Sequence, residues 1–241
     1  MSLPVFISDT DADVGESVEL GGAEGRHAVT VRRLQPGERI VLIDGRGGRR
    51  TCVVRSTAGR DRLGLVVESL EVVAAPDPRV TIVQAIPKAE RSELAVDLLT
   101  QAGADRIVAW QASRSIARWA GKEAKSLAKW QAAAEAAAKQ ARRAFIPQVS
   151  GVVGAAGVEK LIADADLALI LHEESSTPIR EFTFSGEVVV IIGPEGGVAP
   201  EEVEAFSAAG AHPVRLGPEV LRTASAGMVA LSAIGVLSQR W

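Results

Sequence analysis

Short apolar runs separated by turn residues fill the first third of the chain. Apolar and polar residues alternate within these runs, and Gly, Pro or Asp closes them, which predicts brief β-strands. We predict five strands, in the segments PVFIS, SVELGG, RIVLIDG, RTCVVRST and RLGLVVESLEVV. Closely spaced short strands are typical of a small barrel or sandwich. The segment AAPDPR, at residues 74–79, then marks a domain boundary.

Beyond residue 79, predicted strands alternate with predicted helices. The apolar runs VTIVQAIP, RIVAWQAS, LALILHE and EVVVIIG predict strands, and PVRLG predicts a short last one. Helices are predicted from about Ala89 to Ala102, from about Lys122 to Arg143, and over GVEKLIADA, APEEVEAFSAAG and TASAGMVALSAIGVLSQ. Such alternation indicates an α/β fold, a parallel sheet with helices on both faces. We therefore expect one domain at residues 1–73 and a second at residues 77–241.

The bulk composition, 47% hydrophobic and 24% charged, is that of a globular protein. The N-terminus lacks a basic region followed by an apolar one, and no apolar run is long enough to span a membrane, so we predict neither a signal peptide nor a membrane partner. The single Cys52 fits a cytoplasmic protein, and its alternating context favours a buried thiol over a nucleophile. Three dispersed histidines and one cysteine predict no metal site.

Charge is distributed unevenly along the chain. Residues 26–62 hold ten Arg against three acids, and residues 113–147 hold eight Lys or Arg against two Glu. Two basic stretches on a chain of net charge −3 indicate either a localised polyanion-binding surface or ordinary solvated charge. In the second stretch, Trp130 is expected to pack in the protein and not to stack on a base.

A glycine-rich turn follows the apolar run EVVVII. It holds Gly193, Pro194, Glu195, Gly196 and Gly197, and it leads into a helix that begins with Pro200. The carboxyl end of a buried parallel strand is where ligands of open α/β sheets bind, so the turn is a candidate ligand loop. Glu195 could bind the ligand or an N–H of its own turn. Neither a G-x-G-x-x-G nor a phosphate-binding P-loop motif is present.

The turn also carries a family resemblance. IGPEGGVAPEEVEAF and VRLGPEVLRTASA resemble two C-terminal signatures of the 16S rRNA uridine-N3 methyltransferase family, which belongs to the SPOUT superfamily. The segments HAVTVRRLQPGERIVLIDGRG, KAERSELAVDLLTQAGADRIV and AAAKQARRAFIPQV resemble upstream family segments in the same order. The resemblance implies a trefoil-knotted parallel sheet flanked by helices, with an N-terminal PUA-like β-barrel. It also implies a homodimer, with the apolar C-terminal helix in the interface.

In this family S-adenosylmethionine binds in the knot, largely to main-chain groups. The resemblance implies that the cofactor site of this chain comprises Leu171, His172, Gly193, Glu195, Gly196, Gly197, Leu216, Gly217, Val220, Leu221, Thr223 and Ser225. His172 could instead simply terminate its strand. Where the family often reads LRTETA, this chain has Ala224 in the place of the glutamate, which puts a role for a carboxylate there in doubt.

The resemblance further implies roles for basic residues. Arg143 would face the target uracil, and Arg222 would steady the base or a phosphate. Both roles are electrostatic, because an arginine remains cationic and is a poor general base. Arg143 could instead cap the end of its helix. The N-terminal module would bind rRNA through a set of basic residues that match the family pattern or decorate the DGRGGRR hairpin: His27, Arg33, Arg46, Arg49 and Arg50.

The implied activity is methylation of N3 of a uridine in 16S rRNA, with the assembled small subunit as the expected partner. Two alternatives remain open on the sequence. A ribose 2′-O-methyltransferase of the same superfamily would share the knot, although such enzymes usually lack the N-terminal barrel. A non-enzymatic rRNA-binding assembly factor is the alternative from another class, and Ala224 leaves room for it.

Overall fold

The computed structural model describes residues 2–241, apart from the side chains of Ala89 and Glu90. The chain groups into two compact units. Unit 1 contains the residues up to Ala75 and the segment Ala138–Ile146, and unit 2 contains Pro76–Ala137 and Pro147–Trp241. The segment Ala138–Ile146 thus clusters with the N-terminal residues, although the sequence suggested a continuous second domain.

Unit 1 is built on a five-stranded sheet, and its strands match the five predicted segments. They are β1 (Val5–Ile7), β2 (Ser17–Leu20), β3 (Arg39–Ile43), β4 (Gly48–Ala58) and β5 (Arg62–Val72). Their order is β1-β3-β4-β5-β2, with β1 parallel to β3 and the other pairs antiparallel. A short helix α1 (Gly22–Arg26), continued by a π-helical turn at His27–Val31, was not predicted because it is too short for apolar periodicity to reveal.

Apolar and polar residues alternate along the strands of unit 1, and the apolar ones form its core. Leu63, Leu65 and Val67 point inward from β5 at every second position, as strand geometry requires. Cys52 lies fully buried in the same cluster, and burial raises the pKa of its thiol to about 11. The thiol is therefore protonated at neutral pH, in agreement with the expected buried strand residue.

Unit 2 contains a six-stranded sheet in which every strand pair is parallel. The strands are β6 (Arg79–Ala85), β7 (Arg106–Trp110), β8 (Gln148–Val153), β9 (Leu167–Leu171), β10 (Glu187–Ile192) and β11 (His212–Val214). The helices are α2 (Ala89–Gln101), α3 (Glu123–Ala141), α4 (Ala155–Ala163), α5 (Pro200–Ala208) and α6 (Thr223–Leu237). The strand order is β11-β9-β10-β6-β7-β8.

Both faces of this sheet are buried, which explains the near-continuous apolar strands. Val188, Val190 and Ile192 of β10 face one apolar cluster, whereas Val189 and Ile191 face the other. Helices α2, α3 and α6 contribute to the first cluster, and α4 and α5 to the second. The strand β8 lies at the edge and was not predicted, because its residues are only partly buried and a glycine interrupts them.

Helix α6 packs closely on both α2 and the sheet. A Cβ added to Gly227 would meet the side-chain ends of Leu99 on α2 and Ile192 on β10, so glycine allows this close approach. On the same face, Trp130 is buried, and its Nε1–H donates to Ser92 Oγ at 2.7 Å. The expectation that Trp130 packs in the protein is confirmed.

Candidate active site

The turn that follows β10 has the geometry that its glycines suggested. The Gly197 N–H donates to Pro194 O at 2.9 Å, and Gly197 has a φ of +72°, in the left-handed region that favours glycine. A Cβ added to Gly193 would lie 2.8 Å from Val198 Cγ2 and 3.1 Å from Val198 N. The turn is therefore folded back on itself so tightly that Gly193 has no room for a side chain.

Two carboxylates fix this glycine turn to its neighbours. Glu195 Oε1 accepts a hydrogen bond from the backbone N–H of Lys88, just before α2, at 3.1 Å. Glu202, in the first turn of α5, accepts from Ala199 N–H at 3.2 Å and from Ser113 N–H at 2.8 Å. The sequence left open whether Glu195 binds a ligand or an N–H of its own turn; the structure gives it an N–H from a different loop.

A second wall is formed by the loop after β9. The His172 N–H donates to Val214 O at 2.9 Å, which joins the end of β9 to β11. The ring nitrogen Nδ1 of His172 accepts the Glu174 N–H at 3.3 Å. The side chain is thus held in one orientation by its own loop.

The third wall runs from β11 to the start of α6. Thr223 is buried, and its carbonyl oxygen lies 3.5 Å from the Nε2 donor of the fully buried Gln84. Ser225 Oγ donates to Arg222 O at 3.2 Å, so this hydroxyl closes the first turn of α6. Ala224, at the position of the family's glutamate, is buried in the same turn.

These walls enclose a cavity of about 670 Å³ at the carboxyl ends of the strands of unit 2. Eleven of the twelve residues predicted to bind the cofactor line it, and Ser225 is the one that does not. The eleven are Leu171, His172, Gly193, Glu195, Gly196, Gly197, Leu216, Gly217, Val220, Leu221 and Thr223. Arg222, predicted to act on the substrate, lines the cavity as well.

The cavity wall also carries charged residues that the sequence reasoning missed. Arg91, Arg114 and Arg215 add positive charge, and Glu173, Glu174 and Glu219 add negative charge. Arg91 and Arg114 follow β6 and β7, two strands whose carboxyl ends meet at this edge of the sheet. A basic residue shortly after a predicted parallel strand was the signal that could have identified them.

The basic residues predicted to bind RNA in unit 1 have different environments. Arg46 lies 3.8 Å from Asp9 and Arg49 lies 3.5 Å from Glu71, whereas Arg50 is buried and its Nε donates to Ala12 O at 2.8 Å. His27 and Arg33 are exposed, and Arg33 has a φ of +54°. Three of the five residues thus make polar contacts inside unit 1, and the His27 ring lies edge-on to the Phe6 ring.

Arg143, predicted to act at the target base, belongs to unit 1. Its side chain is half-buried, and its backbone N–H donates to Ala138 O at 2.9 Å, just after the end of α3. Within the same segment, Lys139 Nζ lies 2.5 Å from Glu24 Oε1 and Ile146 N–H donates to Gly45 O at 3.0 Å. These contacts tie the segment to the N-terminal part of unit 1.

Neither a metal cluster nor a membrane-spanning helix is found in the part of the chain that the structure describes. No three His, Cys, Asp or Glu side chains are grouped so that they could hold a metal ion. Among residues 2–241, no helix is both long and apolar enough to cross a bilayer.

Comparison with known proteins identifies the family. The model of an RNA methyltransferase domain matches residues 75–235, and that of an RNA methyltransferase PUA domain matches residues 20–68. The chain is 47% identical to ribosomal RNA small subunit methyltransferase E of Mycobacterium bovis, over 98% of this chain and 93% of the relative. It is 30% identical to the Bacillus subtilis protein of the same name, over 95% of this chain and 94% of that one.

Solved structures agree with this assignment. A methyltransferase from Legionella pneumophila, solved in complex with the cofactor SAM, has a TM-score of 0.88 and 27% identity, with 99% of both chains covered. The ribosomal RNA small subunit methyltransferase E from Neisseria gonorrhoeae, bound to S-adenosyl methionine, has a TM-score of 0.88 and 26% identity, with 98% of both chains covered.

These findings confirm two predictions. The fold is the expected α/β fold of the SPOUT superfamily, a knotted parallel sheet flanked by helices with a PUA-like module in front. The predicted enzyme class, an RNA methyltransferase, is confirmed as well, and the predicted cofactor is the molecule bound in both solved relatives. The chain therefore belongs to the RNA methyltransferase family that includes ribosomal RNA small subunit methyltransferase E.

Proposed function

We propose that this protein transfers a methyl group from S-adenosylmethionine to N3 of one uridine in 16S rRNA, with the assembled small subunit as substrate. The observation that carries the proposal is the cavity of unit 2, in which the tight glycine turn meets eleven of the residues expected for a cofactor site. The 47% identity to a small-subunit rRNA methyltransferase supports the same class of substrate.

The cavity fits the cofactor in size and chemistry. A volume of about 670 Å³ lies within the range of small-molecule pockets. Leu171, Leu216 and Leu221 offer apolar walls suited to an adenine ring, while the backbone of the loops offers hydrogen-bonding groups. Gly193, Gly196 and Gly197 line the cavity without side chains of their own, so their backbone is open to a ligand. When bound, S-adenosylmethionine supplies a methyl group activated by its sulfonium charge.

The protein contributes placement and charge. Methyl transfer is an in-line displacement, so holding the uracil N3 against the methyl carbon supplies much of the rate. The N3 proton must leave, and the resulting negative charge is stabilised by a fixed cation. We assign this electrostatic role to Arg222, on the cavity wall, and to Arg143, and we name no general base.

Unit 1 presents a basic surface that suits an RNA backbone. We define it by five exposed arginines whose side chains make no ion pair or hydrogen bond with another residue of the described chain: Arg26, Arg32, Arg33, Arg60 and Arg62. Thr30 Oγ1 donates to Arg60 O at 2.8 Å, which places the β4–β5 turn against the π-helical turn. A Cβ added to Gly25 would lie 2.0 Å from Asp61 O, so the two segments are in direct contact.

Eight of the ten arginines of the first basic stretch fall into two groups. Arg39, Arg46 and Arg49 face carboxylates of unit 1, whereas the basic surface has free guanidinium groups. The hydrogen bond from Arg39 lowers the pKa of the Glu68 carboxyl, as expected for a committed pair. Free arginines release counterions when they bind phosphate, and paired ones gain less. We therefore propose that the basic surface, together with the exposed His27, carries the main rRNA contact of unit 1.

Replacing Arg60 and Arg62 with serine should weaken rRNA binding in a salt-dependent manner. We expect the slope of log affinity against log salt to fall by about one unit for each arginine removed. The control is the serine double variant at Arg39 and Arg49, which removes the same charge from paired positions. Filter binding of small subunits over a salt series measures both slopes, and equal slopes for the two variants would contradict the assignment.

The exposed face of α6 supports the expected homodimer. Val229 and Val236 lie seven residues apart, on one side of the helix, and they are 40% and 72% exposed. Met228 and Leu237 extend the apolar stripe. Contiguous exposed apolar residues on a helix are typical of an interface between subunits. We propose that α6 contributes to a dimer of this chain.

The substitution Val236→Glu should therefore produce a monomer. The glutamate carboxylate would be buried in an apolar interface without water or a partner, and the free-energy cost of burying such a charge should prevent dimerisation. Multi-angle light scattering would give the mass of the wild type and the variant. Val72→Glu is the control, because Val72 is 78% exposed on unit 1 and should leave the dimer intact. A dimer that persists in Val236→Glu excludes α6 as the interface.

The decisive test of function is nucleoside mass spectrometry of 16S rRNA from a strain that lacks the gene, with the purified protein and S-adenosylmethionine then added back to its small subunits. We expect 3-methyluridine to be absent from the deletion strain and restored by the protein, as fits an enzyme that works on ribosomes in the cytoplasm. Loss of a ribose-methylated nucleoside would indicate the 2′-O-methyltransferase. An unchanged nucleoside profile would indicate a non-enzymatic assembly factor.

A further inference from the structure

Three neighbouring strands of unit 2 send their following loops to the same rim of the cavity. The strands are β10, β6 and β7, adjacent in the sheet order. The loop after β7 carries Arg114, whose Nη1 donates to Gly196 O of the glycine turn at 3.3 Å. A Cβ added to Gly196 would lie 3.4 Å from Arg114 Cβ, so the two residues are direct neighbours. Of the four cavity arginines that the structure describes, Arg114 is the one whose guanidinium contacts this turn.

A buried carboxylate holds the backbone beside Arg114. Glu202 is 9% exposed, and Oε1 accepts the Ser113 N–H at 2.8 Å while Oε2 accepts the Ala199 N–H at 3.2 Å. One side chain thus joins the residue that precedes Arg114 to the residue that precedes α5, just after the glycine turn. Hydrogen bonds to an ionised acceptor are stronger than neutral ones, so this connection restrains both loops.

We propose that Arg114 is a catalytic residue that stabilises the negative charge of the target uracil, and that Glu202 positions it. The inference rests on the proposed function and adds a residue to it. A guanidinium that donates to the glycine turn lies on the cavity wall, where we expect the acceptor base to approach the methyl donor. Its remaining N–H groups can donate hydrogen bonds to a carbonyl oxygen of the base, and the guanidinium stays positively charged at every relevant pH.

The chemistry balances without a further reactant. The N3–H bond of uracil breaks and its proton passes to solvent water, leaving a charge that is shared by N3, O2 and O4. The N3 electron pair then forms the N–CH₃ bond while the electron pair of the C–S bond returns to sulfur. An adjacent cation favours the anionic base and lowers the pKa of the uracil imide. The effect of Arg114 should therefore depend on pH.

The test compares single-turnover methylation by wild type and Arg114→Gln, with small subunits from the deletion strain, from neutral to alkaline pH. At neutral pH we expect the variant to be slower by roughly tenfold or more, because raising the pKa of the uracil imide by one unit lowers the amount of uracil anion tenfold. At alkaline pH the rates should converge, because the base then ionises unaided. Calorimetry should show unchanged affinity for S-adenosylmethionine. The control is Arg118→Gln, an exposed arginine of the same loop that lies outside the cavity.

The positioning role of Glu202 is tested in a double-mutant cycle. An amide has one acceptor oxygen, so Glu202→Gln releases either Ser113 N–H or Ala199 N–H. The variant should show the same alkaline recovery as Arg114→Gln, and the double variant should be no slower than Arg114→Gln alone.

Two results would overturn the inference: full activity of Arg114→Gln, or an equal loss at all pH values. Absence of N3 methylation by the wild type would instead refute the proposed function, and the inference with it.

Discussion

The substitution Gly193→Ala should reduce the affinity for S-adenosylmethionine by at least roughly tenfold, or about 1.4 kcal/mol. The new Cβ would lie 2.8 Å from Val198 Cγ2 and 3.1 Å from the backbone nitrogen of Val198. Relieving such an overlap costs about 1–3 kcal/mol, and here the backbone of the turn must move. Because that turn is a wall of the cavity, the movement deforms the cofactor site. Isothermal titration calorimetry measures the effect.

Gly154→Ala is the matched control. A Cβ at Gly154 would meet nothing within 4 Å, and the residue lies outside the cavity. Its affinity for the cofactor should equal that of the wild type. If Gly193→Ala is folded by circular dichroism and binds with wild-type affinity, the glycine turn is not part of the site.

The substitution Arg240→Met should destabilise unit 2 by about 3–5 kcal/mol, because it leaves a buried carboxylate without its cation. Arg240 and Asp105 have side chains only 9% exposed, and Nη1 of the arginine lies 2.7 Å from Oδ2 of the aspartate. The same guanidinium donates to Pro78 O at 2.7 Å and to Gly103 O at 2.6 Å. It thereby fastens the C-terminus to the start of β6 and to the loop after α2.

Urea denaturation followed by tryptophan fluorescence measures this loss. All four tryptophans, at positions 110, 119, 130 and 241, belong to unit 2, so the signal reports that unit. The control is Arg79→Met, which breaks the exposed Arg79–Glu187 pair and should cost at most about 1 kcal/mol. Adding Asp105→Asn to Arg240→Met should recover part of the stability, because the uncompensated charge is then removed. Equal losses for Arg240→Met and Arg79→Met would contradict a buried role for the pair.

The sequence predicted those parts of the fold that local patterns encode. The run EVVVII was identified as a strand buried on both faces because the five residues after Glu187 are all apolar, and β10 has that position. The glycine turn was predicted as a ligand loop because it follows the carboxyl end of a buried parallel strand and is rich in glycine. Pro200 and the following glutamates correctly marked the start of α5.

Features that depend on contacts between distant segments could not be predicted in this way. Arg49 faces Glu71 through the β4–β5 register, and nothing near Arg49 in the sequence shows that pairing. Glu202 accepts a hydrogen bond from the N–H of Ser113, which lies 89 residues earlier in the chain, so no neighbouring residue indicates its role. The strand order that brings Arg114 to the glycine turn was not predicted, because the resemblance implied only a knotted parallel sheet and a knot has no periodicity of its own.

The most direct test of the account is a crystal structure of the protein grown with S-adenosylmethionine. The account predicts the cofactor in the cavity of unit 2, with its sulfonium methyl group against the turn from Gly193 to Gly197 and its adenine among Leu171, Leu216 and Leu221. Density for the cofactor at any other place, or an empty cavity in crystals of a protein that binds the cofactor in solution, would contradict it.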